Sequence, residues 1–366
     1  MIRYPQFGTY VRIMVIASLS WWHIFLPSPA DALETTFNVT NITDLRLKID
    51  TANSSVVYDK ITIKMAAGTY LLSGTPAEDL NLRGDLDIHP LGTVDTLTLE
   101  PDANGGTVII DGGEVDRVFE IFSRSTGELT VYFKNLTIQN GKTDDYGGGI
   151  FIRPGTVSDP VTINMESVTV ADNTAAASGG GIAIGPDSSL DFTNGEISAN
   201  VTGFNGGGLF CFGGTATLTD TDILYNTASP PETGIGGGAV FNAGGTVVIQ
   251  NGCTISDNLT TPEGIYGGAI ANAGYGTLTV NAPILSSTPY GSGTFNQLGD
   301  MAISFLETNP DLPGDVIILS GSVLFDVIGV LTVYGDLIHT GGDFTLNGRI
   351  RFSKAMPWIP FLLFSY

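Results

Sequence analysis

The chain has 366 residues, a net charge of −22 at pH 7 and 48 glycines, and only 14% of its residues are charged. So acidic a surface repels nucleic acid and anionic lipid, so neither is an expected partner. Abundant Gly with few charges suits a turn-rich all-β chain, and one long domain built by repetition accommodates the length.

Arg3 and Arg12 precede an apolar stretch from Ile13 to Leu26, followed by Pro27-Ser28-Pro29 and Ala30-Asp31-Ala32. A basic start, a short apolar centre and an A-x-A site read as a secretory signal peptide over residues 1–32, cut after Ala32. The apolar centre falls short of the about 20 residues that a membrane span needs, although an uncleaved anchor is the alternative. The processed chain is expected outside the cytoplasm, secreted or at the cell surface, with no membrane span.

Residues 33–146 read as an N-terminal cap and the first coils. Thr43 is a candidate cap for a short helix, Asp44–Asn53, which places Leu45, Ile49 and Ala52 on one face. Strands ITIKM (61–65) and TLTLE (96–100) follow, with turns at Ala67-Gly68-Thr69 and Asn104-Gly105-Gly106. Such a helix would lid a first coil whose core and edge are otherwise open.

Residues 147–285 carry two elements in step. Gly boxes begin at Gly147, Gly179, Gly206, Gly237 and Gly267, at intervals of 32, 27, 31 and 30 residues. Between them, strand-like runs end in an apolar residue, two spacers and Asn, as in Val170/Asn173, Ile197/Asn200, Ile223/Asn226 and Ile255/Asn258. An earlier copy reads as ending at Asn140, with Thr137 at the apolar place. A unit of two or three short strands cannot close a core alone; stacked copies can, each pairing its backbone with the next at about 4.8 Å. A parallel β-helix follows, with Gly boxes at tight corners and the Asn residues in an amide ladder. Residues 286–366 read as an irregular segment to 314, then last coils and a C-terminal cap in the apolar tail Ala355–Tyr366. Cys211 and Cys253 alternate in phase with Leu209 and Ile255, which favours buried free thiols over a disulfide.

The stretch LRLKIDTAN (45–53), with Asp59–Ile63, Ala67–Leu71, Gly84–Ile88, Val108–Gly112 and Asp116–Ile121, resembles the CSLREA-type N-terminal module of exported bacterial β-helix proteins. The naming Cys is absent, and Lys48 stands where an acid is usual. The coils with GG[GA][ILV] and [VI]xxN are similar to the repeats of chlamydial polymorphic outer-membrane proteins. These resemblances imply a right-handed, single-stranded parallel β-helix of the pectin-lyase-like kind, displayed outside the cell and in some cases adhesive.

Two function classes compete. The first is a binding, adhesin-like or structural module for carbohydrate or a cell-surface protein. Its candidate ligand contacts are Tyr146, Tyr225 and Tyr266, with Phe204 and Tyr275 also at corners, and Arg117 in the Asp116-Arg117 pair as a binder of acidic sugar. The second is a calcium-assisted lyase or hydrolase of acidic polysaccharide. Carboxylates that serve as acid and base would come from Asp144, Asp145, Asp220 and Asp222. Calcium takes oxygen ligands, which Asp144, Asp145 and Asp172 could offer from adjoining corners, although no cofactor is required by the sequence. Between Gly147 and Ile284 the only basic residue is Arg153, with no Lys or His, which argues against a catalytic groove in the middle coils.

Overall fold

The computed structural model describes residues 32–352, apart from 75–83, 124–126, 154–158, 232–235, 251, 262–268, 274–275, 282–283, 286–295, 298–299, 309–310, 313–315, 319–321, 334–336 and 340–342. The signal-peptide reading (but for Ala32) and the tail Ala355–Tyr366 lie outside these residues. By its contacts the chain divides after Ala32.

Strands dominate the unit that begins at Leu33, and every strand pairing described is parallel. One circuit shows the rule. The chain runs through Val161–Glu166, Thr169–Ala171, Thr174–Ala175 and Ile182–Ile184, then enters Ser188–Thr193 beside its starting strand. These four stations belong to four sheets, called I to IV in that order, of 13, 8, 5 and 10 strands. The five circuits from Leu129 to Ala273 therefore contribute four strands each, not the expected two or three. Two-residue strands such as Thr174–Ala175 are too brief to show as a hydrophobic alternation. The arrangement is consistent with a parallel β-helix.

Alternation decides which side chains point inward. In sheet I, Val161, Ile163 and Met165 stack on Leu129, Val131 and Phe133 below and on Ser188, Leu190 and Phe192 above. All these apolar residues are buried and join the inward residues of sheets II and IV in one continuous core.

The corner between sheets II and III is fixed by Asn173, Asn200, Asn226 and Asn258, all buried. Asn200 is representative. Its Nδ2 donates to Asn226 Oδ1 at 2.9 Å and to the Val170 carbonyl at 2.9 Å. Its Oδ1 accepts from Asn173 Nδ2 at 2.9 Å and from the Asn173 N–H at 3.0 Å. Two donors and two acceptor sites are all used, which is the full capacity of an amide. Just before each of these Asn residues, one with positive φ turns the chain, namely Asp172, Ala199, Tyr225 and Asp257, and Asn140 does the same one circuit earlier. Strand pairing aligns Ile138 with Val170, so Gly141 and not Asn140 stands in the ladder place. Its N–H donates to Asn173 Oδ1 at 2.8 Å. Asn140 occupies the left-handed position that Asp172 fills one circuit on, a role both residues tolerate.

Gly boxes make the turn from sheet III into sheet IV. Gly147 sits at φ +66°, in the left-handed region, and a Cβ on Gly148 would lie 2.5 Å from the Gly180 carbonyl oxygen of the next circuit. One glycine is needed for its backbone angle and the next for the close approach of neighbouring chains.

The helix α1 spans Ile42–Ser54 and starts two residues earlier than expected. Its cap is Asn41, whose Oδ1 accepts the Asp44 N–H at 3.0 Å, not Thr43. Leu45, Ile49 and Ala52 are fully buried, as their spacing required. Among the described residues no helix is long and apolar enough to cross a membrane. Past residue 286 strands resume sooner than expected. Asn296–Gln297, Asp300–Thr308 and Asp311–Leu312 fall inside the span read as irregular, and sheets I and IV continue there, while among the described residues the last strand of sheet III is Leu259–Thr260. Cys211 and Cys253 are buried free thiols. Burial pushes Cys211 up to about 12 and raises Cys253, so neither is a ready nucleophile.

Asn200→Ala removes the acceptor for two Asn173 donors and both donors that Asn200 supplies. A buried polar group left unpaired costs about 1–3 kcal/mol, so urea unfolding of this variant should show a loss of at least that size. Ala199→Gly, at the adjacent left-handed position, should leave stability unchanged or raise it.

Candidate functional site

The outward positions of sheet IV form one register column: Asp87, Glu120, Phe151, Ala183, Phe210 and Phe241. It starts acidic and becomes aromatic. Phe151, Ala183, Phe210, Phe241 and Ala271 form a second apolar cluster, separate from the main core, against which Tyr146 and Phe212 pack half-buried. The Tyr146 ring lies 5.8 Å from Phe210 and nearly parallel to it, and 5.7 Å from both Phe151 and Phe212.

Arg117 stands where the column changes character. Its side chain is buried, with Nε 3.8 Å from Asp85 Oδ2, Nη1 3.4 Å from Glu120 Oε1 and Nη2 3.6 Å from Asp145 Oδ2. Nη2 also donates to Thr143 Oγ1 at 3.3 Å, and the guanidinium lies 5.4 Å from the Phe151 ring centre. Arg153 approaches from the next circuit, 3.2 Å from Glu120 Oε1 and 4.7 Å over the Phe122 ring, on which His89 stacks at 5.2 Å. The cap helix anchors the lower side. Arg46 donates to the Gly84 and Asp85 carbonyls, and Asn53 Nδ2 donates to the Asp87 carbonyl while its Oδ1 accepts the His89 N–H.

Asp85, Asp87, Asp116 and Glu120 are all buried. Burial raises Asp85 from 3.8 to about 8, with Asp87 and Asp116 adding to the rise and Arg117 opposing it. Oxygens of Asp85, Asp87 and Glu120 lie within 4.8 Å of one another, the one such metal-ligating group among the described residues. Three carboxylates suit a hard cation such as calcium. Yet Arg117 already offers positive charge to two of them, so a metal would have to compete with the guanidinium for the same oxygens.

The residues singled out in the sequence are dispersed. Asp144 and Asp145 are exposed, and Asp145 reaches the network through Arg117. Asp172 and Asp220 are positive-φ corner residues, and Asp172 does not join Asp144 and Asp145 in a metal-ligating group. Asp222 lies on sheet II and accepts the Thr254 N–H at 3.1 Å. Tyr225 and Phe204 are exposed at corners. Tyr266 and Tyr275 lie outside the described residues. Arg117 is buried in ion pairs, not presented to solvent, so it orders the face instead of offering a free charge.

Asp85, Asp87 and Glu120 were not among the sequence candidates. The signal was present in Leu86-Asp87-Ile88 and Phe119-Glu120-Ile121, two aligned triplets with an acid between apolar residues.

Asp85 provides a pH test. Across about pH 4 to 8 the folded state keeps a proton that the unfolded chain releases, so this residue's contribution to stability is complete below that window and is lost as pH rises through it. Asp85→Asn cannot ionise. Its Tm should exceed the parent's by a few degrees at about pH 8.5, with the gap closing towards about pH 4.

Comparison with protein-family models, with curated proteins and with solved structures finds no match for the chain.

Proposed function

We propose that the protein is an exported, surface-displayed right-handed β-helix that binds glycan chains along the outer face of sheet IV. The observation that carries this reading is the acid-to-aromatic column from Asp87 to Phe241, with Tyr146 and Phe212 half-exposed upon it. Sugar rings offer apolar C–H faces to aromatic side chains, here Tyr146 and Phe212, and hydroxyls to charged groups that reach solvent, here Asp145 and Arg153 at the acidic end of the column. The resemblance to CSLREA-type modules and to chlamydial outer-membrane repeats supports export and display. Ligand binding by such a face needs no cofactor.

Cleavage of acidic polysaccharide, with or without calcium, is the second reading, and one observation favours it. Asp85, held near 8 beside Asp87 and Glu120, is a carboxyl group able to give up a proton at neutral pH.

A glycan array probed with the parent, Tyr146→Ala and Phe212→Ala tests the first reading. Each lost ring should weaken binding by about two- to tenfold. A lyase and reducing-sugar assay, run with and without calcium, tests the second. Product release that vanishes in Glu120→Gln would replace the binding module with an enzyme.

A further inference from the structure

The outward face of sheet I carries a different pattern from that of sheet IV. Strand register brings Thr162, Ser189, Thr215, Thr246 and Thr277 into one column, with Thr96 and Thr130 continuing it below. Two residues along, the next column reads Asn164, Asp191, Thr217, Val248 and Thr279, and two further along Glu166, Thr193, Thr219 and Gln250, so the first column is the continuous hydroxyl row and the others carry it in part. Parallel pairing fixes a grid of about 4.8 Å between rungs and about 6.6 Å between columns.

Three properties make this face unusual for so acidic a chain. Between Val161 and Thr279 its outward positions hold just two charges, Glu166 and Asp191, and no aromatic ring. The register runs without a shift across these circuits. Thr is stiff at χ1, so methyl and hydroxyl groups are held in place before anything binds. Ser189 Oγ donates to Thr162 Oγ1 at 3.1 Å, which ties neighbouring rungs together.

We infer that this face binds an ordered water lattice, that is, the surface of ice. Apolar methyl groups at a fixed repeat order the water over them, and hydroxyls at the same repeat tie that water to the protein. A neutral face suits an uncharged partner. Crystalline polysaccharide is also uncharged and periodic, but its sugar rings call for aromatic platforms, which these circuits lack on this side. The site is separate from the sheet IV face and does not depend on the glycan reading.

The test is inhibition of ice recrystallisation by the purified protein, alongside Thr217→Lys in the middle of the grid and Val201→Lys, an exposed position on sheet III. Circular dichroism and the urea midpoint establish that each variant is folded. The parent and Val201→Lys should restrain crystal growth equally, and Thr217→Lys should need about tenfold more protein or lose the effect. A folded parent with no effect on ice overturns the inference. So does equal activity in the two variants. Adsorption of the parent to cellulose or chitin that Thr217→Lys abolishes, without any effect on ice, would assign the face to polysaccharide and overturn it as well.

Discussion

Coil-on-coil stacking with an unbroken register is the constraint on which everything else rests. In a parallel stack each backbone group must find its partner in the circuit above or below, because a strand cannot satisfy its own N–H and C=O groups. The strands do this by ladder pairing. Corners cannot, and there the sequence supplies special residues. The Asn ladder closes one corner by giving every buried amide group a partner in the next circuit. The Gly boxes close another by removing the Cβ atoms that would strike the neighbouring carbonyls. Both devices act between copies, so their cost falls when one circuit resembles the next. That is the physical reason for the repeat.

The same constraint explains what could be read from the sequence. Gly boxes and corner Asn residues are legible because they recur in phase, and that recurrence by itself implies stacking. The copy at Asn140 was placed one residue off because Asn also serves in the left-handed position beside the ladder. Pattern alone does not separate the two uses, whereas the pairing of Ile138 with Val170 does. The helix cap differs for a related reason: Asn41 and Thr43 are both good caps and leave Leu45, Ile49 and Ala52 on the same face, and the Asp44 N–H bonded to Asn41 Oδ1 is what decides between them. Two-residue strands leave no alternation to detect, so the sheet III station of the middle circuits is not legible in the sequence.

The candidate site was much less legible. Asp85, Glu120, Asp145 and Arg153 are spread over three circuits and meet only because sheet IV brings the circuits into register. A search for neighbouring acids finds Asp144-Asp145 or Asp220 with Asp222, pairs close in sequence whose members serve at corners or along a strand. Reading down a column instead of along the chain is the more informative direction in such a fold. Outward positions are the ones that stacking leaves free to vary, so departures from the repeat there reflect what the face meets and not how the coil closes.

At the acid-to-aromatic boundary of sheet IV, the choice of Arg follows from chemistry. A side chain at that boundary must meet carboxylates on one side and ring faces on the other. Lys offers a compact, strongly hydrated charge that does the first well and the second poorly when buried. The planar guanidinium does both, with N–H edges turned to Asp85, Glu120 and Asp145 and its face near Phe151. Arg153 repeats the arrangement one circuit on, between Glu120 and Phe122. Beyond Arg153 the column is apolar and the circuits hold no further basic residue up to Ile284. The two arginines therefore mark the point at which the outer face passes from the charged chemistry of the first circuits to the uncharged chemistry of the middle ones.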